Sequence, residues 1–198
     1  KTHQSIDYFA LLNSTFGWKV ITPADPNQTD KIVRHVLTHP GNFAVMMGRA
    51  LNPVITDESG NPYFGEGYEY RYGRMDIIRE GENLILCSSG NMLNRAFDTW
   101  NKLNSEGIRI ALSNISDWSD FNAEDIRFLA KFPRVVVLED HNVKTGLGTA
   151  IASAMFESGL NSKLTKMGVP EYASSGKPDE LYKLLGMDPD SVATRIRT

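Results

Sequence analysis

Several things are scarce in this sequence, and each shortage removes a class of function. There is one cysteine, Cys87, so no disulfide can close within the chain, which favours a reducing compartment. Cys87 belongs to the apolar run Leu84-Ile85-Leu86-Cys87 and reads as a small buried side chain. No apolar run approaches the ~18 residues of a membrane span, and no targeting segment is visible. The chain is therefore read as cytoplasmic, with no membrane partner. Positive charge is short as well: 21 Lys and Arg against 24 Asp and Glu leave a formal net charge of -3. Without a basic stripe, nucleic acid is not expected as a ligand. Local arginines keep phosphorylated metabolites open.

What remains is a globular composition, 198 residues with 41% hydrophobic side chains, long enough for one or two domains with a sizeable core. The chain opens with Lys1 rather than methionine and reaches a helix signal at once, so a segment upstream is expected. That opening, Thr2-His3-Gln4-Ser5-Ile6-Asp7, runs into the apolar Tyr8-Phe9-Ala10-Leu11-Leu12, with Ser5 as N-cap and Asp7 in the first turn of a helix over residues 5–14. Polar groups thus stand at the mouth of a helix. His3 is the first functional candidate, because imidazole can donate, accept or carry a proton near neutral pH. The plain alternative is a solvated histidine at a mobile chain end.

Helices and strands then alternate. A strand is expected over 18–21, and Asp25-Pro26 opens a helix with a cap carboxylate followed by proline. Ile32, Val33, Val36 and Leu37 form its apolar stripe, and Pro40-Gly41 ends it. A strand over 43–46 delivers Gly48-Arg49 at its carboxyl end, where ligands of open α/β sheets gather. Arg49 is the second candidate, a fork for phosphate or carboxylate, against a surface salt bridge as the alternative. Residues 51–73 read as an irregular linker that lies against a neighbouring surface, with Tyr63, Phe64, Tyr68, Tyr70 and Tyr72 among glycines and prolines.

A more complete unit follows. Strands are expected over 84–88, 108–112, 134–138 and 164–169, with helices at 92–103, after Asn122, at 146–157, from Pro178 and after Asp188-Pro189. The three valines at 135–137 mark a strand buried on both faces, central and parallel. The fold class is α/β with a mainly parallel sheet in residues 74–198. Residues 1–50 cannot close a core of their own and read as the end of a domain that begins elsewhere.

Three constellations carry little. Gly146-Leu147-Gly148 has Ile151 where a dinucleotide fingerprint needs its third glycine. His35 and His39 lie one turn apart without the glutamate of a zinc hydrolase. Glu139-Asp140-His141 could serve as acid and base to Ser153 or Thr145, but no nucleophile elbow accompanies it. No metal ligands are assigned.

In order, Thr2-His3-Gln4-Ser5-Ile6-Asp7, Val20-Ile21-Thr22-Pro23-Ala24-Asp25, Gly48-Arg49, Glu139-Asp140-His141-Asn142 with Thr145-Gly146-Leu147-Gly148, and Ser175-Gly176-Lys177-Pro178-Asp179-Glu180-Leu181-Tyr182 resemble the carboxyl half of a transketolase, most closely the split form. The resemblance spans essentially the whole chain. It implies that residues 1–50 end a pyrimidine-binding domain, 51–73 are a linker and 74–198 are the transketolase C-terminal domain. It implies thiamine diphosphate and magnesium (Mg2+) as cofactors, held mainly by residues outside this chain. His3 would contact the donor sugar near its reacting carbonyl, and Arg49 would bind the sugar phosphate. Glu139 to His141 are carried over as structural or interfacial only.

Departures from the family pattern shape the expectation. The acidic Asp-Gly before Thr-His-Gln is missing, and so is a Gly-Asp-Gly followed by asparagine, the magnesium and diphosphate site. The chain alone should be inactive, completed by an N-terminal transketolase portion in a homo- or heterodimer acting on sugar phosphates. Cleavage beside a ketose carbonyl needs an electron sink that side chains cannot supply. A 1-deoxyxylulose-5-phosphate synthase or related ketol transferase is the alternative enzyme, and a non-catalytic dimerisation or regulatory module the alternative of another class.

Overall fold

The computed structural model describes residues 6–49 and 51–198. Helix α1 (Tyr8–Asn13) leads into strand β1 (Trp18–Ile21), helix α2 (Pro26–Thr38) and strand β2 (Asn42–Val45). β1 and β2 pair in parallel as a two-stranded sheet. The Asp25 carboxylate caps α2 by accepting the Gln28 N–H at 2.8 Å, with Pro26 in the first turn, as the sequence pattern implies.

Two expectations in this segment change. Ser5 lies outside the described residues, and Asp7 takes the cap position of α1 instead of its first turn, with no side-chain capping bond. Of the four apolar positions proposed as the buried stripe of α2, only Ile32 is fully buried, while Val33 and Leu37 stay exposed. A sheet of two strands is too narrow to cover a helix stripe that wide.

Among the described residues, 46–75 contain no helix or named strand, yet this linker is anchored. Ile55 and Phe64 are fully buried, and Tyr63, Phe64 and Tyr68 stack edge-on or tilted on one another. Burying a Phe of this kind stabilises by about 1.5–3 kcal/mol.

The remaining elements are β3 (Asp76–Arg79), β4 (Leu84–Ser88), α3 (Met92–Ser105), β5 (Ala111–Asn114), α4 (Ala123–Leu129), β6 (Arg134–Asn142), α5 (Leu147–Glu157), β7 (Lys163–Val169), α6 (Pro178–Leu184) and α7 (Pro189–Arg197). The five strands are ordered β3-β5-β4-β6-β7, all parallel except β3. β3 is not legible in the sequence, because Asp76 and Arg79 flank only two isoleucines and the pairing with β5 breaks register between them. β5 begins at residue 111 and not 108: Ile108 N–H turns back to Leu103 O at 2.9 Å, and Ile110 O accepts from Trp100 Nε1 at 2.8 Å. β6 runs past its valines to Asn142, which pairs with Val169 beyond a register shift.

Alternate residues of the strands feed two cores. Leu84, Leu86, Leu112, Val136 and Leu138 meet α3 and α7 on one face. Ile85, Cys87, Ala111, Val135 and Val137 meet α4 and α5 on the other. Burial pushes the Cys87 thiol up to about 12, so it is an inert packing group. Because β4 connects to β5 on one side and β6 lies on its other side, the direction of winding reverses between β4 and β6. Such a reversal opens a crevice at the carboxyl ends of the strands.

Candidate functional site

Described residues of the first segment, among them Thr22, Met46, Met47 and Gly48, cap the crevice. β1 is followed by Thr22, whose hydroxyl bonds that of Ser89 after β4 and donates to Ser116 O after β5. Trp118 Nε1 donates to the same Ser89 oxygen at 3.0 Å. The turn after β2 then descends onto the sheet. A Cβ on Gly48 would lie 1.7 Å from Asn91 Nδ2, so only glycine permits this approach. Asn91 is held in turn by Asn52, whose Nδ2 donates to its Oδ1 at 2.5 Å.

Between cap and sheet lies a cleft of about 430 Å³. Thr22, Met46, Met47 and Gly48 form one wall, Gly90, Asn91, Asp140 and His141 the other, and Ile6, Tyr8 and Phe9 close an end. A neighbouring cavity of about 490 Å³ under the loop after β7 shares Ile6 and Asp140 with it.

The His141 ring is 4% exposed and edge-on to Phe9 at 4.0 Å and to Trp118 at 4.4 Å. Burial lowers its pKa, against the pull of Asp140, so the imidazole is neutral at neutral pH. Its Nδ1 has no hydrogen-bond partner among the described residues, and Nε2 stands 3.3 Å from Asp140 Oδ1. A neutral imidazole beside a carboxylate, on the wall of a cleft, can bind hydroxyl groups or exchange a proton.

Glu139 serves another purpose. Its fully buried carboxylate accepts from Leu147 N at 2.5 Å and Gly148 N at 3.0 Å, the opening amides of α5. A side-chain carboxylate therefore occupies the place a phosphate would take in a dinucleotide fold, which explains why Gly146-Leu147-Gly148 is not a nucleotide loop. Burial raises the Glu139 pKa to about 7, against the lowering effect of the two amides.

Of the two residues singled out in the sequence, His3 lies outside the described residues. Arg49 follows Gly48 at the rim of the cleft, is exposed, and has no ion pair among the described residues. Sequence reasoning alone does not place Asn91, Asp140 and His141 in a cleft. The signal is the polar strand end Glu139 to His141, but placing it at the crevice requires the strand order. His35 and His39 stack on each other at 3.8 Å, and His39 Nδ1 is engaged with His35 O. Among the described residues no three His, Cys, Asp or Glu groups converge in a way that could hold a metal ion. Among the described residues the cleft walls carry no cationic side chain beyond Arg49 at the rim, so a diphosphate with its magnesium does not fit these groups.

The transketolase C-terminal domain profile matches residues 73–192. A protein of Methanocaldococcus jannaschii named as a transketolase C-terminal section is 29% identical over 196 residues, covering 98% of this chain and 60% of that protein. A subunit of an apulose-4-phosphate transketolase from Actinobacillus succinogenes is 25% identical over 195 residues, with 96% and 60% covered. A 1-deoxy-D-xylulose-5-phosphate synthase of Synechococcus sp. is 25% identical over 198 residues, 98% of this chain but 30% of the enzyme. In structure, a split-gene transketolase described as an inactive β4 tetramer superposes with a TM-score of 0.88 at 24% identity, over 99% of this chain and 62% of that one. The chain thus spans about 60% of the length of the first two relatives. Among the described residues no helix is long and apolar enough to cross a membrane.

Proposed function

Because the chain belongs to the transketolase C-terminal domain family, we propose that it is the carboxyl-terminal portion of a thiamine-diphosphate-dependent transketolase. Assembled with an N-terminal portion, it moves a two-carbon unit from a ketose phosphate to an aldose phosphate. The observation that carries this reading is the Gly48-Arg49 turn: it seats against Asn91 at the sheet's crevice and leaves Arg49 exposed, with no ion pair among the described residues, at the rim of a cleft with polar walls.

In this reading residues 1–50 end a pyrimidine-binding domain, 51–73 link it onward, and 74–198 form the C-terminal domain. Arg49 binds the substrate phosphate through its planar fork of donors. His3 contacts the donor sugar beside its reacting carbonyl. Thiamine diphosphate supplies the electron sink, and the groups that hold it with Mg2+ come from the other portion. The exposed apolar side chains Leu11, Phe16, Leu37 and Met47 of the first segment support such a partner, since they are uncovered in this chain. The relatives named as a C-terminal section and as one subunit of a transketolase point the same way.

The test is Arg49→Ala in the assembled enzyme. Loss of a charge-assisted phosphate contact worth about 1.5–3 kcal/mol raises KM for phosphorylated ketoses about 10–100-fold, with stability unchanged. An unchanged KM removes Arg49 from the site, and an unchanged rate in His3→Ala removes His3. The 1-deoxy-D-xylulose-5-phosphate synthase relatives favour one alternative, that enzyme or a related ketol transferase using the same cofactor. Product analysis with several donor and acceptor pairs separates the two.

A further inference from the structure

Tyr68, Tyr70 and Tyr72 fall on alternate residues of the linker, and each gives its hydroxyl proton to a different aspartate. Tyr70 donates to Asp117 Oδ1 at 2.5 Å, Tyr72 to Asp120 Oδ2 at 3.0 Å and Tyr68 to Asp76 Oδ2 at 3.3 Å. The backbone continues the pattern. Gly73 N–H donates to Asp117 Oδ2 and Met75 N–H to Asp125 Oδ2, both at 2.8 Å. Residues 68–75 are thus strapped to β3, to the loop after β5 and to α4 through four aspartates.

Two of these carboxylates also hold the first segment. Gln28 of α2 is fully buried and donates from Nε2 to Asp76 Oδ2 at 3.1 Å, and the Tyr70 ring packs into the small core made with Ile21 and Ile32. Asp117 bridges to Ile21 of β1. Whatever loosens these two carboxylates loosens α2 and β1 from the five-stranded sheet.

Asp117 is 2% exposed, and neither it nor Asp76 has an ion pair among the described residues. The titratable groups around them come from every neighbouring element. Asp125 of α4 opposes the charge of Asp76, and Asp76 opposes that of Asp117. His35 of α2 stands edge-on to Tyr70 at 5.0 Å, and Lys19 of β1 lies 4.8 Å over the Tyr72 ring. Tyr63 feels the Asp76 charge, while Arg74 turns away to Glu124 at 3.1 Å and Asp125 at 3.5 Å. A buried carboxylate without a counter-ion favours its neutral form. Burial accordingly raises Asp117 to about 7 and Asp76 to about 6, against the lowering effect of their hydrogen-bond donors.

We propose that Asp76 and Asp117 form a pH-gated catch: protonated, they hold the tyrosine strap and α2 against the sheet, and ionised, they let the strap open while the sheet stays folded. The sign follows from linkage. A carboxyl raised by folding contributes fully below its unfolded value, and the contribution is lost as pH rises through the folded one. The catch acts within this chain, whatever reaction an assembly performs.

The experiment is hydrogen exchange of the full chain, followed by NMR between pH 5 and 8 and corrected for the intrinsic rate of each amide. Gly73 and Met75 N–H lose protection about 10–100-fold over that range, because each unit by which folding raises a pKa is worth tenfold. Amides of β4, the central strand, stay better protected than the strap at every pH. The Asp117→Asn carboxamide cannot ionise, so most of the pH dependence disappears and Gly73 is better protected than in the wild type at pH 8. Asp76→Asn removes a smaller share and serves where Asp117→Asn does not fold. Tyr70→Phe lowers Gly73 protection already at pH 5. Strap protection that ignores pH in the wild type, an unaltered slope in the asparagine variants, or strap and β4 amides exchanging with equal protection overturns the proposal.

Discussion

Removing Glu139 tests the physical account of the sheet's site-bearing edge. The carboxylate is fully buried and accepts two α5 amides at 2.5 and 3.0 Å. The space around it is shaped to match, since a Cβ on Gly146 would fall 1.9 Å from Oε2. Glu139→Ala leaves two buried N–H groups without acceptors, each costing about 1–3 kcal/mol, and adds a cavity. We expect a loss of about 3–5 kcal/mol, which for a chain of this size lowers Tm by roughly 6–20 °C. Glu139→Gln keeps one acceptor oxygen and turns an amide nitrogen toward the other N–H, so it costs about 1–3 kcal/mol. Urea unfolding followed by circular dichroism reads both. A loss below about 1 kcal/mol in the alanine variant would refute the carboxylate cradle as a source of stability.

Three further outcomes follow from the same structure. Burial raises Asp76 to about 6, and Asp117 and Glu139 to about 7, so between pH 4 and 7 the folded state holds protons the unfolded chain has released. This contribution is complete below the unfolded values and lost as pH rises through the folded ones, so unfolding free energy should fall by at least about 2 kcal/mol from pH 4.5 to 7.5. A flat or rising profile contradicts it, and Asp117→Asn should flatten part of the slope. Gly48→Ala forces Asn91 or the turn aside and should raise KM for phosphorylated substrates in the assembly while the five-stranded sheet keeps its circular dichroism; an unchanged KM would separate the turn from the site. Phe64→Ala should cost about 3–5 kcal/mol, measured by denaturant unfolding, because the linker is pinned through this fully buried ring; a cost under about 1 kcal/mol would make the linker a loose tether.

Much of this was legible in the residues themselves. Asp25-Pro26, Asn122 and Asp188-Pro189 open their helices as capping chemistry requires, and the valines of β6 are buried on both faces. Cys87 is buried as its surroundings imply, and so are Phe64 and Tyr70 of the aromatic linker, while Tyr63, Tyr68 and Tyr72 are half-buried. What the sequence hides is long-range. That Asp7 answers to Asn142 and Tyr172, and not to its own helix, depends on two loops meeting across the sheet edge. That Asp140 and His141 line a cleft depends on the strand order, and that Leu37 and Val33 remain exposed depends on how few strands lie beneath α2. Local pattern sets each element, and none of those three facts is local.

We propose that the chain supplies Arg49 and His3 to a site completed by another polypeptide portion. Ketol transfer by the purified chain, with thiamine diphosphate and Mg2+, measured before and after adding an N-terminal transketolase portion, tests it most directly. No transfer is expected before addition, and turnover is expected after it. Turnover by the chain alone, or none in a verified stoichiometric complex, would contradict it.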